Sequence, residues 1–235
     1  GLSRGPHWEP LVSASLADLA MKALFLVTLA SGLRCSEVHA LSGLDSDVSY
    51  EADGSVSLRF LPEFLAKNQR PGDPSPLVRI RPLSHLVHRS EPDALNCPVR
   101  ALRLYLSRCP RSPAKRRLFL SVNPQCLRDI AKPTLARWVV SVIRRAYSDF
   151  DQSERGGGVR VIPLTSARAH EVRAWAASLA LQSSSRLEEV LEAAYWRSAD
   201  VFISHYLRDV CRTRADGRFG VGSAVVAQHV MSAHM

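Results

Sequence analysis

The stretch that decides the fold is LVSASLADLAMKALFLVTLASGLRCSEVHAL, residues 11–41. From Leu11 to Ser31, apolar residues recur mainly at three- and four-residue steps, which is the spacing of one face of an α-helix. Gly32 ends this helix, because glycine is the residue that most readily leaves a helix in a left-handed conformation. A second helix begins at about Ser36. The sequence therefore predicts two consecutive helices joined by a tight turn.

The turn between these helices carries Arg34. A side chain that follows a glycine at such a turn can be exposed and can approach a ligand. Glu37, three residues further on, can brace the start of the second helix as part of a capping box. The alternative is that Arg34 binds no ligand and is an ordinary surface arginine.

Residues 45–82 have a different character from the helical stretch. The segments SVSLRF (55–60) and PLVRIRPL (76–83) are rich in β-forming residues, and Pro, Gly and Asp separate them. This pattern predicts a small antiparallel sheet. Its long turn holds Lys67 and Arg70.

The rest of the chain is predominantly helical in pattern, so the predicted fold class is mainly α with a small antiparallel β-sheet (α+β). Residues 1–10 are expected to be a leader or the remnant of an N-terminal region, and residues 11–235 a single domain. The predicted helices lie in CPVRALRLYLSRC (97–109), TLARWVVSVIRRAY (134–147), LTSARAHEVRAWAASLAL (164–181, capped by Thr165 or Ser166), RLEEVLEAAYW (186–196) and SADVFISHYLRDV (198–210), with SERGGG (153–158) as a flexible loop.

The charge of the chain points to a polyanionic partner. Among 235 residues, 31 are Lys or Arg and 22 are Asp or Glu, a formal net charge of +9. Seven basic residues and no acidic one lie between positions 100 and 117. Nucleic acid is the simplest partner for such a surface, and a basic surface kept only for solubility is the alternative. The residues predicted to contact DNA are Arg70, Arg100, Arg103, Lys115, Arg116 and Arg117.

Cysteine content and hydropathy exclude several other classes of protein. The five cysteines are odd in number and form no CxxC pair, so a disulfide framework or a zinc ribbon is not expected. The longest apolar run, Ala23–Gly32, is about half the length of a membrane span. No signal peptide opens the sequence. We therefore expect a protein that is neither secreted nor embedded in a membrane.

Three segments carry candidate chemistry. In AHEVRAW, His170 and Arg173 are three residues apart and would share a helix face, where arginine can hold a phosphate and histidine can move a proton. Tyr206 and Trp196 stand in late helices, where the default expectation for an aromatic residue is the core. Each feature alone is weak, and a solvated face or a packed core is its more common explanation.

Taken in order along the chain, these features resemble the catalytic domain of the tyrosine recombinases, the phage-integrase family. The similarity is greatest to recombinases of DIRS-, Ngaro- and Crypton-type mobile elements. It rests on GLRCSE (32–37), FLAKNQRPGD (64–73), CPVRALRLYL (97–106), AHEVRAWAASLA (169–180) and FISHYLRDV (202–210), and it extends from about residue 11 to about residue 228.

The resemblance implies a role for each matching position. Arg34 and Arg173 would hold the nonbridging oxygens of a scissile DNA phosphate, and Lys67 would protonate the departing 5′-oxygen. Tyr206 would be the nucleophile, giving a 3′-phosphotyrosyl intermediate. The remaining matches are His170, which would assist proton removal or bind the phosphate, and Trp196, which would donate its indole N–H and pack the site wall. Tyr195 is assigned to the core.

The resemblance also implies partners and a location. The partner is double-stranded DNA, the assembly on DNA is a homo-oligomer, expected to be a tetramer, and neither a metal nor another cofactor is required. A eukaryotic protein of this kind would work in the nucleus, and otherwise in the cytoplasm. Two other functions stay open: a DNA-binding module without catalysis that derives from such an element, and nicking and resealing like that of a type IB topoisomerase.

Overall fold

The computed structural model describes residues 8–66, 69–83, 95–123, 126–154, 167–182, 186–193, 199–200 and 203. Within them the helices are α1 (Leu16–Ser31), α2 (Cys35–Ala40), α3 (Pro98–Arg108), α4 (Lys132–Glu154), α5 (Glu171–Gln182) and α6 (Leu187–Ala193). The strands are β1 (Val48–Tyr50), β2 (Val56–Leu58), β3 (Val78–Ile80), β4 (Leu120–Asn123) and β5 (Cys126–Asp129). The predicted α+β class is confirmed.

Helix α1 is the centre of the fold. Its N-cap is Ser15, whose hydroxyl oxygen accepts the Asp18 N–H, and Gly32 ends it at a φ of 61°. Helices α3, α4 and α5 pack against it. Because α1 has neighbours on several sides, it buries almost all of its residues from Leu19 onward, including Lys22. An apolar helix that is covered all round is typical of the interior of a globular protein.

The predicted sheet is present, with β2 between β1 and β3 and both pairings antiparallel. A second, two-stranded sheet, which the sequence pattern did not predict, joins β4 to β5. Single bridges at Leu41↔Phe60 and Ser42↔Arg117 connect the two sheets through the residues that follow α2. The end of α2 is therefore fixed by backbone hydrogen bonds on both sides.

Gly43 shows how closely these backbones approach one another. Its N–H donates to the Arg116 carbonyl oxygen at 2.8 Å. A Cβ atom at this position would lie 2.6 Å from the Arg117 carbonyl oxygen and 2.9 Å from the Leu118 Cα. Only glycine fits here without a shift of the backbone.

The residues just before α1 belong to the packed structure. Of the expected leader, positions 8–10 are described, and Trp8 is fully buried in a cluster with Met21 and Val142. The Glu9 carboxylate accepts hydrogen bonds from Lys22 at 2.7 Å and from Arg100 at 2.9 and 3.1 Å. These contacts hold the segment against α1 and α3.

Two predicted boundaries are wrong. Helix α4 continues to Glu154, into the segment expected to be a loop. Helix α5 begins at Glu171 rather than after a cap at residue 165 or 166, because Arg168 and Glu171 close its first turn reciprocally. The Glu171 N–H donates to the Arg168 carbonyl at 3.0 Å, and the Arg168 N–H donates to Glu171 Oε2 at 3.3 Å.

Candidate functional site

The start of α2 holds the first predicted site residue. Arg34 is its N-cap, with an extended backbone, and the Arg34 N–H donates to Glu37 Oε2 at 2.6 Å. The Arg34 guanidinium also reaches this carboxylate, with Nη1 2.6 Å from Oε1. The predicted bracing of the helix by Glu37 is confirmed, and it fixes both the backbone and the side chain of Arg34.

A second arginine approaches the same carboxylate from α5. Arg173 Nη1 lies 3.5 Å from Glu37 Oε2 and donates to the Gly32 carbonyl oxygen at 2.8 Å, a contact between residues 141 positions apart. The left-handed conformation of Gly32 ends α1 next to this contact. Gly32 at the end of α1 and Glu37 in α2 thus both hold the side chain of Arg173, which comes from α5.

The result is a cluster of Arg34, Glu37 and Arg173, which we call the arginine pair with its shared carboxylate. The Glu37 and Arg173 side chains are 4% and 3% exposed, whereas Arg34 is 26% exposed. Two guanidinium groups and one carboxylate carry a net charge of +1. An anion that reached this cluster would meet Arg34 first, and a planar guanidinium is suited to a phosphate.

His170 does not share the environment of Arg173. It lies in the turn before α5 and is exposed, whereas Arg173, in the first turn of the helix, is buried. The interpretation that both side chains present one common face is therefore not what the structure shows. The arginine is turned to the core and the histidine to the outside.

Four residues of the sequence analysis lie outside the described part of the chain. They are the predicted general acid, the predicted wall residue, the predicted nucleophile and the tyrosine assigned to the core: Lys67, Trp196, Tyr206 and Tyr195.

Three of the basic residues predicted to contact DNA have partners within the protein. Arg100 binds Glu9, and the exposed Arg116 forms two 3.0 Å hydrogen bonds with the Glu63 carboxylate. Arg117 Nη1 donates to the His39 carbonyl oxygen at 2.5 Å. Part of the basic stretch 100–117 therefore makes hydrogen bonds within the protein, which its charge alone did not predict.

The other three predicted DNA contacts differ in exposure: Arg70 and Arg103 are exposed, and Lys115 is half-buried. The Arg103 guanidinium lies 4.5 Å from the centre of the Tyr50 ring, and Lys115 Nζ donates to the Pro110 carbonyl oxygen at 3.4 Å. The hydrogen bond that Arg70 donates to Asp73 comes from its backbone N–H. Exposure does not exclude an internal partner, since the exposed Arg116 is paired with Glu63.

The other titratable residues of α2 do not add charge next to Arg34. Burial raises the pKa of the Cys35 thiol, which keeps it neutral near pH 7. Burial and the Arg117 guanidinium lower the pKa of His39, whose Nε2 lies 2.9 Å from the Ile130 carbonyl oxygen. Within α2 itself, Glu37 therefore carries the charge next to Arg34, and Lys132 lies close enough to act on the Cys35 thiol.

The chain matches no protein-family model and no curated protein sequence. In the described part of the chain, no helix combines the length and the apolar character needed to cross a lipid bilayer.

Proposed function

We propose that this protein is a site-specific DNA recombinase or integrase of a mobile element, which cuts and rejoins DNA through a 3′-phosphotyrosyl intermediate. The observation that carries the proposal is the arginine pair. Arg34 and Arg173 come from distant parts of the sequence, and both contact the Glu37 carboxylate. These are the two positions that the ordered set of motifs assigns to phosphate binding.

The proposed reaction balances without an external energy source. The Tyr206 oxygen attacks the phosphorus, an O–P bond forms, and the bond from phosphorus to the 5′-oxygen breaks. The tyrosine loses its proton, with His170 assisting, and Lys67 gives a proton to the 5′-oxygen. The bond energy is kept in the phosphotyrosine, so the reverse reaction with another 5′-hydroxyl reseals the strand. Trp196 would donate its indole N–H at the site.

The arginine pair would supply the electrostatic part of catalysis. Negative charge grows on the nonbridging oxygens as the phosphate becomes five-coordinate, and preorganised donors stabilise it most when they need not move. The short contacts from Glu37 to the Arg34 N–H and guanidinium hold one donor in place before substrate arrives. The contact with Gly32 does the same for Arg173.

The burial of Arg173 favours a second candidate, a DNA-binding module without catalysis. A purely structural arginine would also be 3% exposed and held by a carbonyl oxygen and a carboxylate. In that case the positive surface would bind duplex DNA and no covalent product would form.

A nicked suicide duplex separates these candidates, because the short fragment released with its 5′-hydroxyl diffuses away and the covalent intermediate is trapped. The recombinase proposal expects a labelled protein–DNA adduct, which Arg34→Lys should greatly reduce, since a point charge cannot replace the planar fork. Arg145→Lys is the matched control, because Arg145 pairs with Asp18 on the outside of α4. Binding without any adduct would support the non-catalytic module. Recombinant product, as opposed to relaxation of supercoils alone, separates the recombinase from a topoisomerase-like enzyme.

A further inference from the structure

In the connection between β2 and β3, the side chain of Gln69 joins residue 66 to residues 73 and 74. Gln69 Oε1 accepts the Ala66 N–H at 3.1 Å, while Gln69 Nε2 donates to the carbonyl oxygens of Asp73 at 3.2 Å and Pro74 at 3.1 Å. The Gln69 N–H returns a backbone bond to the Ala66 carbonyl at 2.9 Å. The side-chain amide of Gln69 therefore links Ala66 to Asp73 and Pro74 by hydrogen bonds.

The same connection fixes the backbone of Arg70. The Arg70 N–H donates to Asp73 Oδ2 at 2.7 Å, and the Asp73 N–H donates to the Arg70 carbonyl at 3.1 Å. The Asp73 carboxylate is thus occupied by backbone, and the exposed Arg70 guanidinium extends from a closed loop. Arg116, by contrast, has its guanidinium in two hydrogen bonds with Glu63.

An ordered loop binds a polyanion better than a flexible loop with the same charge. Fixing the backbone of a residue costs conformational entropy. A loop that is already ordered loses this entropy during folding rather than on binding, so a larger part of the free energy of the phosphate contact contributes to affinity.

We infer that Gln69 is a positioning residue that holds residues 69–74 against Ala66 so that Arg70 contacts a phosphate of duplex DNA. This inference rests on the proposed function for its partner, DNA, and on the contacts of Gln69 for its geometry.

The test measures duplex binding of the full chain by fluorescence anisotropy across 50–200 mM salt, for Arg70→Ala, Gln69→Met and the double variant. Arg70→Ala should lower the slope of log K against log salt by about 1, the loss of one phosphate contact. Gln69→Met, which keeps length but loses the amide, should weaken binding by about threefold while the slope changes less. The double variant should bind as Arg70→Ala does, because Gln69 acts through Arg70. Arg145→Ala is the charge-matched control.

Two results would overturn the inference. One is an Arg70→Ala protein with the affinity and slope of the wild type. The other is a Gln69→Met effect that persists in full in the Arg70→Ala background, which would make Gln69 a general stabilising residue. Hydrogen exchange gives a readout without DNA, since Gln69→Met should deprotect the Ala66 amide and Arg70→Ala should not. Absence of a covalent adduct in the wild type would refute the recombinase chemistry but not this inference, which rests on binding.

Discussion

Replacing Glu37 by alanine tests the energetics of the arginine pair. The substitution removes the acceptor of the Arg34 N–H and guanidinium, and it leaves Arg173, 3% exposed, without its carboxylate. Removing one partner of a buried ion pair costs about 3–5 kcal/mol, because the remaining charge stays desolvated. For a chain of this size, 1 kcal/mol shifts the melting temperature by about 2–4 °C. We therefore expect Glu37→Ala to melt about 6–20 °C below the wild type.

The assay is thermal and urea unfolding followed by circular dichroism. Glu37→Gln should fall between wild type and Glu37→Ala, because the amide oxygen still accepts one hydrogen bond but carries no charge. The control is Glu63→Ala, which also breaks a bidentate contact with an arginine but at an exposed position, and its midpoint should stay that of the wild type. A Glu37→Ala protein as stable as the Glu63→Ala control would refute the reasoning.

Two further predictions concern the frame around the site. Gly43→Ala should destabilise the protein by about 1–3 kcal/mol, since the new Cβ would meet backbone atoms of residues 117 and 118 that cannot rotate away; an unchanged urea midpoint would show that the backbones separate easily. Glu9→Gln tests pH dependence: burial raises the pKa of Glu9, but hydrogen bonds from Arg100 and Lys22 outweigh it and leave the folded-state pKa below 4.5. The stability that the Glu9 carboxylate contributes is therefore present above pH 4.5 and lost as the pH falls below it. The unfolding free energies of wild type and Glu9→Gln should converge in acid, and curves that stay parallel from about pH 7 to about pH 3 would contradict this.

Local pattern was enough to predict much of the fold. The apolar spacing of α1, its end at Gly32 and the bracing of α2 by Glu37 all depend on residues within one or two turns of each other. The β4–β5 pair was not predicted: Leu120–Asn123 (LSVN) alternates apolar and polar residues, but Cys126–Asp129 (CLRD) does not, and the two strands depend on pairing with one another.

The long-range polar contacts could not be predicted in the same way. Glu37 has an obvious local role, yet nothing in its neighbourhood indicates that Arg173 shares its carboxylate. Glu9 stands in a segment with the composition of a leader, and its partner Arg100 stands in a run of basic residues that indicated DNA. Such pairs form because a charge that is removed from water is stabilised by an opposite charge, and which opposite charge lies nearby depends on packing rather than on spacing.

The assignment of Tyr206 as nucleophile is the central claim, and a suicide duplex labelled on the strand segment that ends in the scissile 3′-phosphate tests it most directly. Tyr206→Phe removes only the hydroxyl oxygen, so the ring and DNA binding should be kept while the covalent adduct disappears. Tyr195→Phe is the matched control and should trap DNA as the wild type does. If Tyr206→Phe still forms the adduct, or if Tyr195→Phe is the variant that loses it, Tyr206 is not the nucleophile.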